Sequence, residues 1–100
     1  MLHTVNKSPF ERNALESCLR LAVPGSAVLL IEDGVYGALK GTAQAAKIEA
    51  ATKTHELYVL GPDLKARGIE EARVLGGIKV VDYGGFVDLV VAKGTVNSWL

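Results

Sequence analysis

The chain has 100 residues, 49% of them hydrophobic, and its eleven basic residues balance eleven acidic residues. A chain of this length forms one domain with a modest core, so we treat residues 1–100 as a single domain. Its longest aliphatic run, Ala27–Ile31, is far shorter than the roughly 20 residues that span a bilayer, and the lack of a basic stripe argues against direct binding of nucleic acid.

Short apolar segments that are typical of buried strands alternate with helical segments along the chain. Near-continuous apolar strands are covered on both faces, which is the pattern of a parallel sheet between two helical layers. We therefore predict an α/β domain of the flavodoxin or Rossmann type, with an open, mostly parallel sheet of four or five strands and helices on both faces. The strands are predicted at Leu2–Val5, Ala27–Ile31, Leu57–Leu60 and Ile78–Val81, with a candidate fifth at Val96–Trp99.

The first helix is predicted to begin at Pro9, because Ser8–Glu11 has the sequence of a capping box with proline at the first helical position. It should end near Ala22, since Pro24 and Gly25 cannot continue it. At about 100° per residue, the helix carries an apolar stripe on one face. The stripe comprises Phe10, Ala14, Leu15, Cys18, Leu21 and Ala22.

Three more helical segments follow in the chain. Thr42–Lys53 is predicted to be helical, but Ile48 is its only large apolar residue, so it covers the sheet thinly. Gly61–Gly68 is predicted to be a short helix that Gly68 terminates. A last helix is expected after a turn at Tyr83–Val87.

Cys18 is the only cysteine of the chain and lies near the middle of the apolar stripe. A reactive cysteine needs its thiolate, which an apolar setting disfavours. We therefore interpret Cys18 as structural rather than catalytic, with the alternative that the apolar face is a subunit interface where the thiol meets a partner's sulfur. A lone cysteine agrees with a reducing compartment and no secretory signal is visible, so we expect a cytoplasmic protein.

Acidic and aromatic residues follow two of the predicted strands. In open α/β sheets, ligands bind beyond the carboxyl ends of the strands. Asp33, Tyr36, Asp82 and Tyr83 are therefore candidates for a small-ligand site. The alternative is that both aspartates cap helices, a role for which their side chains are well suited.

Other kinds of site have little support in the sequence. Motifs for dinucleotides, nucleotides, acyl transfer and zinc are absent, and His3 and His55 are interpreted as ordinary surface or core histidines. We expect no cofactor and no metal. Trp99 and Leu100 place large apolar side chains at the end of the chain, where they form either a lid on the core or, with Phe86, part of a subunit interface.

Four blocks of the sequence resemble, in order and spacing, the DsrH/TusB family of sulfur-relay proteins, and together they span nearly the whole chain. The resemblance implies an α/β fold like that of DsrE and DsrF. The alanine-rich stretch 42–54 contributes nothing to it. The blocks are MLHTVNKSPFERNALESC, LLIEDGVYGAL, LYVLGPDLKARGI and the closing VVDYGGFVDLV…VNSWL.

The resemblance implies an accessory subunit rather than a catalyst. Members of this family occur with DsrE/TusD-like and DsrF/TusC-like subunits in a dimer of heterotrimers, in which the persulfide cysteine belongs to the DsrE/TusD-like partner. Sulfur then passes to a DsrC/TusE-like carrier. A cysteine at position 18 and the opening NKSPFERN resemble the DsrH branch, which implies a role in dissimilatory sulfur oxidation.

Three alternatives stay open on the sequence. The first is a TusB-type subunit for 2-thiolation of the tRNA wobble uridine. The second is a stand-alone persulfide carrier that uses Cys18, which requires an exposed thiolate. The third is a small-ligand module at the strand ends, which requires a pocket.

Overall fold

The computed structural model describes residues 1–100 and contains one sheet of five strands. Every pairing is parallel, and the strand order is β4-β3-β2-β1-β5. This confirms the predicted fold class, including the candidate fifth strand. The strands are β1 Leu2–Val5, β2 Ala27–Leu30, β3 Glu56–Leu60, β4 Ile78–Val81 and β5 Val96–Trp99.

The helices lie on both faces of the sheet. The chain adds β2, β3 and β4 in turn on one side of β1 and then returns over the opposite face to place β5 on the other side of β1. None of the helices has the length and hydropathy that crossing a membrane requires. The helices are α1 Ala14–Leu21, α2 Ala45–Ala51, α3 Gly61–Ala66 and α4 Tyr83–Lys93, with 3₁₀ helices at Glu32–Ala38 and Glu71–Arg73.

The two faces of the sheet are covered unequally. One face packs against α1, α2, α3 and the 3₁₀ helix Glu32–Ala38, and this main core holds 17 buried residues, among them Val5, Val28 and Leu64. The opposite face is covered by α4 alone, where the small core has three buried residues, Leu2, Ala27 and Leu29. Alternate residues of β1 and β2 supply the two cores, as the pleat of a strand requires.

The predicted start of the first helix was wrong. The Ser8 hydroxyl accepts from the backbone N–H of Phe10 at 3.2 Å, and the Ser8 carbonyl accepts from Glu11 and Arg12, which closes an isolated turn. Helix α1 begins five residues after Pro9, at Ala14, and its N-cap residue Asn13 makes no side-chain capping bond.

Two members of the predicted apolar stripe are therefore misplaced. Phe10 lies in the turn, outside the helical register, and is 55% exposed. Leu21 is the last residue of α1 and is 65% exposed, because it lies in a shallow surface cavity with Met1 and Val23 instead of in the main core. Four members, Ala14, Leu15, Cys18 and Ala22, are buried as expected.

The later helices differ from the predictions mainly at their ends. Helix α2 is shorter than the predicted Thr42–Lys53, and Ile48 is its one buried residue. Helix α4 begins directly at Tyr83, so the predicted turn at Tyr83–Val87 was wrong: these residues are the first turn and a half of the helix. Because Asp82 supplies a side-chain cap, the two glycines that follow Tyr83 are held in helical conformation.

Gly68 ends the third helix as predicted. It has φ +68°, its N–H donates to Lys65, and the N–H of Ile69 donates to Leu64. These are the two hydrogen bonds of a Schellman motif, and the accompanying contact is apolar because Leu64 and Ile69 both belong to the main core.

Gly34 allows the 3₁₀ helix Glu32–Ala38 to lie directly on the backbone of β1. A Cβ atom at this position would overlap the carbonyl oxygen of Val5 and come within 2.9 Å of its carbonyl carbon. Backbone atoms cannot rotate away as a side chain can, so only glycine fits here.

Candidate functional site

The Cys18 thiol is enclosed by the main core. The residue has no exposed surface, and its position in the middle of α1 keeps it away from the helix N-terminus, where thiolates are stabilised. Burial raises the pKa of the Cys18 thiol from its ordinary value of 9.0 to about 12. The thiol is therefore protonated at neutral pH and out of contact with solvent, an environment that favours the structural interpretation of this cysteine.

Asp33 lies at the carboxyl end of the sheet, where a site was predicted, but its carboxylate is bound within the chain. Arg67 donates to Asp33 Oδ1 from Nε and from Nη2, each at 2.9 Å. The expectation that Asp33 caps a helix was wrong, because the N-cap residue of the 3₁₀ helix is Ile31. Sequence reasoning missed this pair, since the two residues are 34 positions apart and no local pattern joins them.

A second contact ties the same 3₁₀ helix to α3. The carboxylate of Asp63 accepts the backbone N–H of Glu32 at 2.6 Å, and Arg67 Nη1 donates to the Asp63 carbonyl at 3.2 Å. Glu32 has φ +50° and is the only non-glycine residue of the chain with a positive φ. A left-handed conformation is costly for such a residue, and the hydrogen bond to Asp63 helps to hold it.

The remaining candidates at the strand ends have structural roles or are exposed, and they do not form a common ligand site. Asp82 Oδ1 accepts the backbone N–H of Gly85 at 2.8 Å, so Asp82 is the N-cap that the alternative interpretation expected. Tyr36 packs on the main core, Phe86 packs on the small core, and Tyr83 is 60% exposed.

The cavities likewise do not gather these residues. Of the three main cavities, two are lined by none of the candidates. The third, an open groove beside β4, is lined by Asp82 alone among them. The candidates are Asp33, Tyr36, Asp82 and Tyr83. Nowhere do three His, Cys, Asp or Glu side chains lie close enough together to hold a metal ion.

Trp99 connects the end of the sheet to its first strand. The side chain packs partly buried against the main core, and its Nε1 donates to His3 Nδ1 at 3.1 Å. His3 is buried, and burial together with the nearby N-terminal charge and His55 lowers the pKa of its imidazole. The neutral form of His3, which can accept the hydrogen bond from Trp99, is thus favoured. Because Trp99 also packs on the main core, it serves in part as a lid on its own domain. Leu100 is 78% exposed.

A groove between α1 and α2 was not predicted. It encloses about 510 Å³ over an apolar floor that includes Leu15, Leu19 and Ile48, and an exposed Glu16–Lys47 ion pair at 3.6 Å bridges its rim. One feature of the sequence points to this groove: the alanine-rich second helix has little apolar surface with which to fill the space beside α1.

Helix α4 carries an apolar face that the rest of the chain leaves uncovered. Tyr83, Val87 and Val91 recur at every fourth position and are 60%, 61% and 76% exposed. The sequence contained this signal, since apolar residues lie on both sides of the predicted helix, but it does not say which of them face outwards.

Comparisons with known proteins agree with the resemblance seen in the sequence. A family model described as "DsrH like protein" matches residues 7–96. Protein TusB of Erwinia tasmaniensis is 43% identical over 100 residues, with 99% of this chain and all of that protein covered. Protein TusB of Pectobacterium parmentieri is 36% identical over 99 residues, with the same shares covered.

Solved structures share the fold at low sequence identity. The ychN protein of E. coli superposes with a TM-score of 0.77 at 17% identity, covering 98% of this chain and 97% of that one. MTH1491 of Methanobacterium thermoautotrophicum, titled a protein of unknown function, gives a TM-score of 0.73 at 15% identity and covers 97% and 96% of the two chains. At these identities the likeness concerns the architecture alone.

Proposed function

The chain belongs to the DsrH-like family, and from this premise we propose that it is an accessory subunit of a cytoplasmic sulfurtransferase complex. The resemblance found in the sequence implies sulfur relay for this family. In this role it helps to assemble and position the subunits between which sulfur moves. The proposal assigns the persulfide to another chain.

The observation that carries this proposal is the environment of Cys18. Persulfide exchange requires a thiolate that attacks a sulfane sulfur. The only thiol of this chain has no exposed surface, and its pKa is about 12. A protonated thiol that a sulfur donor cannot reach is poorly suited to carry sulfur, which argues against the stand-alone persulfide carrier.

The partners we propose are a DsrE/TusD-like and a DsrF/TusC-like subunit, arranged as a dimer of heterotrimers, with a DsrC/TusE-like protein as the sulfur acceptor. In the transfer step the acceptor's thiolate attacks the outer sulfur of the persulfide on the DsrE/TusD-like subunit. The sulfur–sulfur bond of that persulfide breaks, the subunit's cysteine leaves as a thiolate, and the persulfide now lies on the acceptor. The present chain supplies no atom to this step.

The destination of the sulfur is tRNA thiolation or sulfur oxidation. Relatives named Protein TusB, up to 43% identical over the full length, favour 2-thiolation of the tRNA wobble uridine, and we place that pathway first. Dissimilatory sulfur oxidation is the second candidate, favoured by the cysteine at position 18 and by the NKSPFERN opening.

The accessory role is tested with Cys18→Ala in the complete complex. We expect the variant complex to transfer radiolabelled or mass-tagged sulfur to the acceptor within about twofold of the unmodified rate. The matched control replaces the persulfide cysteine of the DsrE/TusD-like partner and should abolish transfer. A loss of transfer with Cys18→Ala in a complex that assembles normally would contradict the accessory role.

The pathway is tested separately by deleting the gene. Mass spectrometry of digested tRNA should show loss of 2-thiouridine if thiolation is the destination, and expression of the Cys18→Ala chain should restore it. Unchanged 2-thiouridine, together with impaired growth on reduced sulfur compounds, would assign the chain to sulfur oxidation instead.

A further inference from the structure

We propose that the outer face of α4 is the docking surface for a non-identical protein subunit, whose contacting surface is apolar and places a lysine or arginine opposite Asp88. This inference rests on the proposed function, since it identifies the surface through which the accessory subunit meets one of its partners. The outer face comprises Tyr83, Gly84, Val87, Asp88, Val91 and Ala92, all of them exposed.

The outer face follows from the helical geometry of α4. At about 100° per residue, these six positions occupy one half of the helix circumference. The opposite half contains Phe86, Leu89 and Val90, which pack against the small core. Helix α4 therefore already covers the sheet with one apolar side and presents a second apolar side to solvent.

A surface helix normally has a polar outer side, and a helix that is apolar all round is normally buried. Helix α1 shows the normal arrangement, because polar residues such as Glu16 and Arg20 lie on the side away from its buried stripe. Helix α4 has no fully buried residue, although all of its eleven residues except Asp88 and Lys93 are apolar or glycine. Burial of Tyr83, Val87 and Val91 against another subunit would restore the usual arrangement for such a helix.

Asp88 defines the chemistry of the occupant. It is the only charged residue of the outer face, it is exposed, and no side chain or N–H of this chain pairs with it. A carboxylate at the margin of an apolar contact would be left unpaired unless the partner offers a cation. The partner surface therefore carries a lysine or arginine at this place.

The same residue argues against a second copy of this chain. In an antiparallel two-fold pair centred on Val87, symmetry would bring the two Asp88 carboxylates to the same edge of the contact. Like charges side by side are unfavourable, and the outer face contains no cation to separate them. The occupant is a different subunit, which agrees with a hetero-oligomeric complex.

The test uses the full complex, obtained by co-expressing this chain with its DsrE/TusD-like and DsrF/TusC-like partners. The double variant Val87→Arg, Val91→Arg places two cations on the outer face. We expect it to weaken association with the partners at least tenfold, measured by co-purification and by titration of the purified components. Asp88→Asn should weaken association less and should reduce its dependence on salt concentration, because it removes one charge from the contact.

The matched control is Val23→Arg, which also places a cation at an exposed valine, 72% exposed, but outside α4. It should leave association unchanged. All variants should give the circular dichroism spectrum and thermal midpoint of the unmodified isolated chain, since they alter exposed positions. Normal association of the double variant would overturn the proposal.

Two further outcomes can be distinguished from normal association of the double variant. If the unmodified chain fails to associate with either partner, the proposed function fails and the docking surface fails with it. If the unmodified chain alone forms a dimer that Val87→Arg, Val91→Arg dissociates, the assignment to a non-identical subunit is overturned.

Discussion

Chemical labelling of Cys18 tests the environment on which the accessory role depends. The perturbation is an alkylating reagent applied to the isolated chain at pH 7.5, first in the folded state and then in urea. Because the reagent reacts with the thiolate, its rate follows the fraction of the thiol that is ionised. The chain has one cysteine, so every modified molecule reports on this position.

The expected size of the effect follows from the shift of the pKa. With its ordinary pKa of 9.0, about 1 in 30 thiols is ionised at pH 7.5, and with a pKa of about 12 the fraction falls to about 1 in 30,000. Ionisation alone should therefore slow labelling about a thousandfold in the folded chain. Exclusion of the reagent by the surrounding core slows it further, since the residue has no exposed surface.

The assay follows the mass of the intact chain over time. Folded protein should stay unmodified while the urea-unfolded protein is labelled completely, and the ratio of the two rates should be about a thousand or more. A folded-state rate within tenfold of the unfolded rate would show that α1 opens readily or that the thiol is accessible. Either result would remove the argument that Cys18 cannot carry sulfur.

Three other predictions follow from packing and ionisation. Gly34→Ala should destabilise the domain by about 3 kcal/mol or more in urea unfolding, because its Cβ would overlap the backbone of β1. Gly76→Ala, at a glycine with open space around it, is the control and should have an effect below about 1 kcal/mol. The lowered pKa of His3 predicts that stability falls as the pH drops below 6.5, because the unfolded chain then binds a proton that the folded chain resists. Tryptophan fluorescence during unfolding at pH 7.5 and 5.5 measures this, and a His3→Gln variant with the same pH dependence would refute it. Deleting Trp99 and Leu100 should lower the thermal midpoint of the isolated chain, since Trp99 packs on the main core. An unchanged midpoint combined with loss of the complex would place the segment in an interface instead.

The fold was predictable because strands buried on both faces consist of nearly continuous apolar residues, which can be recognised in the sequence. Four apolar segments such as Ala27–Ile31 correctly located the strands of a parallel sheet, and the short fifth strand was recognised as a candidate. Strand order was not predictable, since β5 pairs with β1 through contacts that no local pattern encodes. The start of α1 was missed for a related reason: the capping-box sequence at Ser8 closes a turn whose continuation depends on the residues that follow it.

The candidate site was predictable only in part. The apolar stripe correctly indicated that Cys18 is enclosed, because helical periodicity determines which residues share a face. The strand-end acids could not be interpreted in the same way. Asp82 caps the adjacent helix, whereas Asp33 pairs with Arg67 across 34 positions, and sequence alone cannot distinguish a local partner from a distant one.

The position of β5 has a consequence for the order in which the domain folds. Strands β1 to β4 are joined by successive crossovers between neighbours, whereas residues paired between β1 and β5, such as Thr4 and Ser98, are 94 positions apart. Bringing β5 to β1 carries an entropic cost about 1 kcal/mol larger than bringing β2 to β1. We therefore expect β5 to join the sheet last, after β1 to β4 have paired, and until then β1 is an open edge strand.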